Sequence, residues 1–405
     1  MNDTYCQRAE NELIINAFGS NIKAALCCKS QDLVNLNENE LQSIRDDLDN
    51  GIKNKHCNVC WLHEEKGIRS WRQIGNDEKI KYKTIELYLN NLCDSSCIYC
   101  SHKFSTKWQQ EISHMNNSDR GIIKNLINDI TFETSSDKQN HLIHILEYIS
   151  KYAKQTGDHP VQIAVLGGEP LLTSFIKKNI IDDIIDAFYS ASTKTRLFKI
   201  LIVTNGNTPD AIIDKTLEII EFKKQKHPNL ISSISISMES TKNIAEYVRY
   251  GVKWDQFDKN FKKWLNSKNE IDISLTANIV SFFDIPEFIN YAFTEAEHAD
   301  SLISLRFNLA LYPEHLSIAL LDEKYSYVFN EIKDIVNKNK FSFHSIWRYF
   351  EFLEQLKVAE TVFSTKSNNI SIKENAITYF KLLERNRKIK LQSVNSELAS
   401  YLGLE

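Results

Sequence analysis

Three cysteines fall within "CDSSCIYC" at residues 93–100: Cys93, Cys97 and Cys100. Thiolates spaced Cys-x3-Cys-x2-Cys on a loop can converge on one metal ion or on an iron–sulfur cluster. A closed zinc site would need a fourth donor, which His102 could offer. The spacing alone leaves cluster and zinc open. Cys6, the adjacent Cys27 and Cys28, and Cys57 and Cys60 in "HCNVCWLHEEKGIRSWR" complete the chain's eight cysteines. None follows Cys100, so the sulfur chemistry is confined to the first quarter. Cys57-x2-Cys60 is a metal-knuckle spacing. A third motif, Gly167-Gly168-Glu169-Pro170, ends the run "VQIAVLGGEPLL". Paired glycines let a ligand approach the backbone, and the adjacent carboxylate can hold an ammonium group. Taken alone, the same four residues are also an ordinary strand–helix turn.

These motifs need elements to position them. Candidate strands recur at 84–90, 161–166, 198–204, 231–238, 271–280 and 302–310. Between them "NHLIHILEYISKYAK", "TSFIKKNIIDDIIDAFYSA", "TPDAIIDKTLEIIEFKK", "FDKNFKKWLNS" and "DIPEFINYAFTEAE" carry helical apolar spacing. Thr208-Pro209-Asp210 offers a capping hydroxyl, a proline and an acid at a helix start. Alternating strands and helices predict an α/β fold with a parallel sheet. One face of these strands is polar: Thr84, Glu86, Tyr88 and Asn90; Ser235, Ser237 and Glu239; Ser274, Thr276 and Asn278; Arg306 and Asn308. Doubly wound sheets are covered on both faces and read almost continuously apolar. The alternation therefore predicts a curved, barrel-like sheet with helices outside and a polar lumen. Both sulfur motif and glycine motif then sit at C-terminal ends of strands, the edge where parallel β/α folds bind ligands.

Together the two motifs resemble the radical S-adenosylmethionine (radical SAM) superfamily, over roughly residues 83–310. The resemblance implies a partial (β/α)6 TIM-like barrel with a [4Fe–4S] cluster on Cys93, Cys97 and Cys100. Its open iron would take the amino and carboxylate groups of S-adenosylmethionine, and reductive cleavage would give a 5′-deoxyadenosyl radical that abstracts a substrate hydrogen. It further implies cosubstrate contacts at Gly167, Gly168 and Glu169, at Ser235, Ser237 and Glu239, at Asn205 and Asn278, and at Tyr99 near the adenine. An external reductant such as flavodoxin or ferredoxin is implied as a partner.

"CNVCWLHEEKGIRSWR" resembles the run preceding the barrel in a branch with an N-terminal twitch/SPASM-like module. That implies an auxiliary [4Fe–4S] cluster on Cys57, Cys60, one of Cys27 and Cys28, and Cys6; without Cys6 it would keep an open iron. A usual SPASM module is C-terminal with more cysteines, so this chain departs from the pattern. The expected division is an auxiliary module at 1–80, the barrel at 81–315 and a helical region at 316–405.

Such enzymes often modify ribosomally made peptides, so a peptide is the leading substrate class. Small carbohydrates, nucleotides and cyclitols are the alternative. A non-catalytic zinc- or cluster-stabilised binding module is a third reading. The lack of cysteine after Cys100 offers no thiol hydrogen donor in the later strands, which weighs against peptide epimerisation.

A net charge of −4, from 49 basic and 53 acidic residues, gives no reason to expect a polyanion binder. The basic stretch "KLLERNRKIK" at 381–390 reads as a solvated helix face. No apolar run reaches the roughly 18–20 residues that span a bilayer, and "MNDTYCQRAENELII" lacks a signal-peptide pattern. The expectation is a cytoplasmic protein, in which cysteines serve metals better than disulfides. His63, His102 and His114 make no recognisable ligand spacing.

Overall fold

The computed structural model describes residues 3–30, 33–65, 67, 69–77, 80–127, 138–175, 178–193, 195–365 and 370–404. The chain divides into two compact units, Met1–Asn91 with Glu133–Ile202 and Asp214–Ser232, and Leu92–Phe132 with Val203–Ile213 and Ser233–Glu405. The six strands read from the sequence are present: β1 Lys83–Tyr88, β2 Val161–Leu166, β3 Phe198–Thr204, β4 Leu230–Ser237, β5 Glu270–Ala277 and β6 Ile303–Leu309. The chain is thus mixed α/β on a large parallel sheet.

In the first unit β1 pairs in parallel with β2, and β2 with β3 (Val161↔Phe198 through Val165↔Ile202). Ile85, Leu87, Ile163, Val165, Ile200 and Ile202 are fully buried, which is the apolar half of the alternation. Helices Lys138–Gln155 and Ile180–Ser190 pack on each other, the second burying Ile181, Ile184, Ile185 and Phe188 at helical spacing.

On the other edge of β1 lies a strand the sequence reading did not find, Glu12–Asn16, parallel to β1 from Glu12↔Thr84 to Asn16↔Tyr88. Lys23–Ala25 pairs antiparallel with it, and Val34–Asn35 follows. Sheet pairing therefore runs across position 80, where the auxiliary module was expected to end. Helix Glu38–Asp49 begins at Asn37, whose Oδ1 accepts from Asn39 N at 3.0 Å, and ends before Gly51 at φ +84°. One expected helix is shorter than its pattern: Ser174–Phe175 pairs with Lys178–Asn179, and the helix starts only at Ile180. Asn179 caps it, accepting from Ile181 N at 2.9 Å.

In the second unit β4, β5 and β6 are parallel neighbours in chain order. Within each unit the crossover strands keep chain order, as in a β/α barrel and unlike a doubly wound sheet with its switch point. The polar alternation is visible: Ser274, Thr276 and Arg306 are half-buried and Asn308 is exposed, while Ile273, Leu275 and Leu305 are buried. Asp272 shares this face and forms an ion pair with Arg306, and Asn308 Nδ2 donates to Ser274 Oγ at 2.9 Å. Residues beyond 316 are mainly helical, with long helices at Tyr327–Lys338, Ile346–Ser364 and Ile370–Arg387. Among the described residues no helix is long and apolar enough to cross a membrane.

Candidate metal centres

The loop that leaves β1 carries Cys93, Cys97 and Cys100, and its shape is held by contacts within the second unit. Cys97 sits on a two-residue strand, Ser96–Cys97, paired antiparallel with Arg249–Tyr250. Cys100 N donates to Cys97 O at 3.0 Å, a turn that brings the last two thiols round together. Thr106 Oγ1 accepts from Cys93 N at 3.1 Å and donates to Cys93 O at 3.2 Å. Ser105 caps helix Thr106–His114 through Trp108 N and also donates to Ser95 O at 2.6 Å, anchoring the helix to the loop. Asn205 and Asn207, on the loop after β3, hold Asp94: their Nδ2 atoms donate to its carboxylate at 2.7 and 2.8 Å. Asn205 Nδ2 also lies 4.0 Å from Cys93 Sγ.

Charge is arranged around Cys97. Arg249 and Glu239 form an ion pair at 2.5 Å, both side chains buried. Tyr99 OH donates to the same carboxylate at 3.1 Å, and Arg249 Nη1 lies 4.0 Å from Cys97 Sγ. Burial pushes the Cys97 thiol up, with Arg249 opposing the shift, and burial with the neighbouring Cys97 pushes Cys100 up to about 12. Thiols so placed give up their protons readily only to a metal, which supplies the positive charge that burial removes.

The backbone oxygens of this loop are covered from far along the chain. Tyr379 OH donates to Ile98 O at 2.6 Å, Arg387 Nη2 to Ser96 O at 2.8 Å, and Trp108 Nε1 to Cys97 O at 2.8 Å. Arg387 is buried, ion-paired with Glu111 at 2.7 Å and stacked over Trp108 and Tyr250. The basic stretch expected to be a solvated face is therefore partly structural: Arg387 points into the loop's support, and Arg385 meets Asp119 at 2.6 Å.

The glycine motif lies in the first unit. Gly167 has φ +132°, and a Cβ there would stand 2.5 Å from Asn90 O. Gly168 N donates to that same oxygen at 2.9 Å. The end of β2 thus lies against the residue that follows β1, an approach only glycine permits. Glu169 is fully buried, and its Oε1 accepts from Leu171 N at 3.1 Å, capping the short turn Pro170–Leu172.

Several residues expected at the cosubstrate have other partners. Glu239 is fully buried, paired with Arg249 and accepting from Tyr99 OH. Asn278 is fully buried and serves its own turn, with Oδ1 accepting from Val280 N and Ser281 N at 3.0 and 3.1 Å. Ser235 is buried, 3.4 Å from Asp272 Oδ2, whereas Ser237 is half-buried. Asn205 grips the cysteine loop. Asp94, Arg249, Tyr379 and Arg387 were not singled out in the sequence, because their partners lie far along the chain even where, as for Asp94 and Arg387, the residue sits in a noted stretch. His102 is buried, and His63 and His114 are exposed.

The remaining cysteines lie in the first unit. Cys6, Cys27, Cys57 and Cys60 line one apolar pocket walled by Ala9, Ala24, Ala25, Leu26, Val34 and Ile44. Its rim is fixed by a buried clasp: Arg72 meets Glu64 at 2.7 Å and Tyr5 O at 2.9 Å, and Ser70 Oγ donates to Glu64 at 2.5 Å. This clasp accounts for the acid, serine and arginine of the run after Cys57-x2-Cys60: they fold 60–72 back so that both thiols face the pocket. Burial raises Cys6 and pushes Cys57 up to about 12, with Arg72 opposing both shifts. Cys28 does not line the pocket and is exposed.

A tetrahedral zinc site holds its thiolates about 3.8 Å apart, given Zn–S near 2.3 Å. Among the described residues the one ligand-type trio gathered within 4.8 Å is Glu12, Cys27 and Cys28. Neither the loop trio nor the four-thiol pocket is drawn in so tightly. Both donor sets are all thiol, which zinc and iron–sulfur clusters alike accept.

No family model and no curated protein matches the chain. Among solved structures it is similar to "Native anSMEcpe with bound AdoMet" (TM-score 0.43, 14% identity, covering 64% of this chain and 62% of that one). It is also similar to Streptococcus suis SuiB bound to S-adenosylmethionine (0.39, 15%, 83% and 71%) and to a spore photoproduct lyase mutant with dinucleoside spore photoproduct (0.34, 9%, 68% and 78%). The chain thus spans less than two thirds of the first of these. At such identities and scores no residue role passes from them to this chain.

Proposed function

We propose that this chain is a radical SAM enzyme that binds a [4Fe–4S] cluster at Cys93, Cys97 and Cys100 and abstracts hydrogen from a substrate, with a peptide as the leading substrate class. The observation that carries the reading is the three-thiol loop itself. It follows the first parallel strand, and side chains from three other segments hold it: Asn205 and Asn207 on one loop, Arg249 on a short strand, and Tyr379 and Arg387 on helix Ile370–Arg387. A site that merely buried three thiols would not need a guanidinium beside one sulfur and a hydrogen bond on every backbone oxygen from Ser96 to Ile98. The glycine motif after the second strand supports the same reading from the sequence side.

When bound, the cluster with S-adenosylmethionine supplies one-electron cleavage of a sulfonium C–S bond. The chain's own residues do the rest. Cys93, Cys97 and Cys100 would hold the cluster as thiolates. Arg249 offsets thiolate charge at Cys97, and Glu239 holds the guanidinium in place. Gly167 and Gly168 keep the end of β2 free of side chains, where a methionyl group can meet backbone. The four-thiol pocket is the proposed auxiliary cluster site, with Cys27 rather than Cys28 as the ligand, and it is this module that favours a peptide substrate.

Anaerobically reconstituted protein with dithionite and S-adenosylmethionine is expected to release 5′-deoxyadenosine. Alanine at Cys93, Cys97 or Cys100 should abolish release. Release retained in any of the three variants, or no release from the wild type with candidate peptides present, would sink the assignment.

A further inference from the structure

Cys27 lines the four-thiol pocket, yet its sulfur also lies with Cys28 Sγ and a Glu12 carboxylate oxygen, the three atoms mutually within 4.8 Å. The sheet creates this group. Glu12–Asn16 and Lys23–Ala25 are antiparallel with Ile14 opposite Ala25, and the chain bends after Ala25 to bring Cys27 and Cys28 near Glu12, which starts the first of these strands. Cys28 turns outward and is exposed, so the trio has an opening to solvent.

Two thiols and a carboxylate are donors that a soft or borderline divalent ion accepts together, and a fourth position is left for water. Glu12 is fixed as ligating carboxylates commonly are, by a hydrogen bond of its own, here from Arg8 Nη1 at 2.6 Å. Arg8 is in turn stacked 4.1 Å over Trp71. Glu86 adds negative charge near Cys28. A cation would offset the negative charge that two thiolates and a carboxylate bring together.

We propose that Glu12, Cys27 and Cys28 form a site for one divalent cation of the zinc class, and that this site and the four-thiol pocket exclude each other because both require Cys27. The exclusion rests on the auxiliary-cluster reading; the site itself does not.

The test uses the chain with Cys93, Cys97 and Cys100 changed to alanine, freed of metal and kept reduced, titrated with cobalt(II) as a spectroscopic probe for zinc. One equivalent is expected to bind with a thiolate-to-cobalt absorption band. E12Q and C28S should weaken binding tenfold or more, and C57S should leave it unchanged. C57S weakening binding as much as C28S would place the ion in the pocket and overturn the site; so would indifference to both E12Q and C28S. For the exclusion, the same triple variant isolates the auxiliary thiols. Prior zinc loading should cut its iron uptake on reconstitution, and adding C28S should restore it. Uptake unaffected by zinc overturns the exclusion. A triple variant that takes up no iron even without zinc overturns the auxiliary-cluster reading and the exclusion with it, while the cobalt titration still decides the site.

Discussion

Arg249 and Glu239 meet at 2.5 Å in a fully buried pair, and the guanidinium nitrogen not bound to Glu239 lies 4.0 Å from Cys97 Sγ. The pair couples the loop's sulfur to the end of β4. Breaking a buried pair leaves a charge with no compensation, at about 3–5 kcal/mol. R249Q should therefore lower unfolding free energy by that order and reduce iron retained per chain. R249K keeps the charge but loses the forked hydrogen bonds. It should recover much of the stability and little of the cluster's spectroscopic signature. Denaturant unfolding and iron analysis on the same preparations check both; equal stability of R249Q and wild type would refute the role.

Tyr379 gives a milder test of the loop's outer support. Y379F leaves Ile98 O without its 2.6 Å partner, a loss of about 1–3 kcal/mol for a buried acceptor. The expected result is a lower unfolding midpoint together with faster iron loss to a chelator, while the cysteines are untouched. Unchanged chelation kinetics would confine Tyr379 to packing.

Glycine substitutions separate the loop from the strand end. At Gly251, φ +111°, a Cβ would lie 2.4 Å from Asp94 O, so G251A should displace the cysteine loop and lower iron retention. G167A should instead disturb the approach to Asn90 and weaken S-adenosylmethionine binding, measured calorimetrically, with less effect on iron. Gly121, in helix Asn117–Ile127 with nothing within 4 Å of its missing Cβ, is the control. G121A should be neutral or stabilising by up to about 1 kcal/mol.

Asp284 predicts a pH dependence. Burial pushes its carboxyl up to about 6, although Thr241 N and Oγ1 donate to it at 2.5 and 3.2 Å. The folded value lies above the unfolded one near 3.8. The contribution is therefore complete below the unfolded value and is lost as pH rises through about 6. At about 1.4 kcal/mol per unit, wild type should lose roughly 2 kcal/mol relative to D284N between pH 4 and 7. Unfolding curves of the two proteins at both pH values check this; a constant difference would refute it.

Much of the fold was legible because its signals are local. All six parallel strands lie within three residues of where period-two apolar spacing placed them, and Thr208-Pro209-Asp210 does start a helix at Asp210. The cysteine and glycine motifs are local too. What stayed hidden depends on pairing between distant segments. Glu12–Asn16 is a five-residue run beside a helical turn and joins β1 across just over seventy positions, from Glu12↔Thr84 to Asn16↔Tyr88. Arg249 sits in "YVRYG", where nothing marks it as a counter-ion. The basic stretch at 381–390 misled because charge spacing describes a helix in water, whereas Arg387 meets Glu111 from another helix. Glu239 and Asn278 stand out by strand position, but the partners they have, Arg249 and Tyr99 for Glu239 and its own turn for Asn278, could not be read locally.

The partners that close the cysteine loop, Tyr379 and Arg387, stand 281 and 291 positions from the oxygens they cap. A ribosome adds about 5–20 residues each second. Roughly 15–60 s therefore separate the emergence of Cys100 from that of Arg387. Throughout that interval the three thiols exist without their outer support, open to oxygen and to whatever metal is at hand. On the proposed cluster reading, iron loading becomes an event for a chain synthesised past Arg387, and one truncated before residue 379 should retain less iron on anaerobic reconstitution even with every cysteine intact.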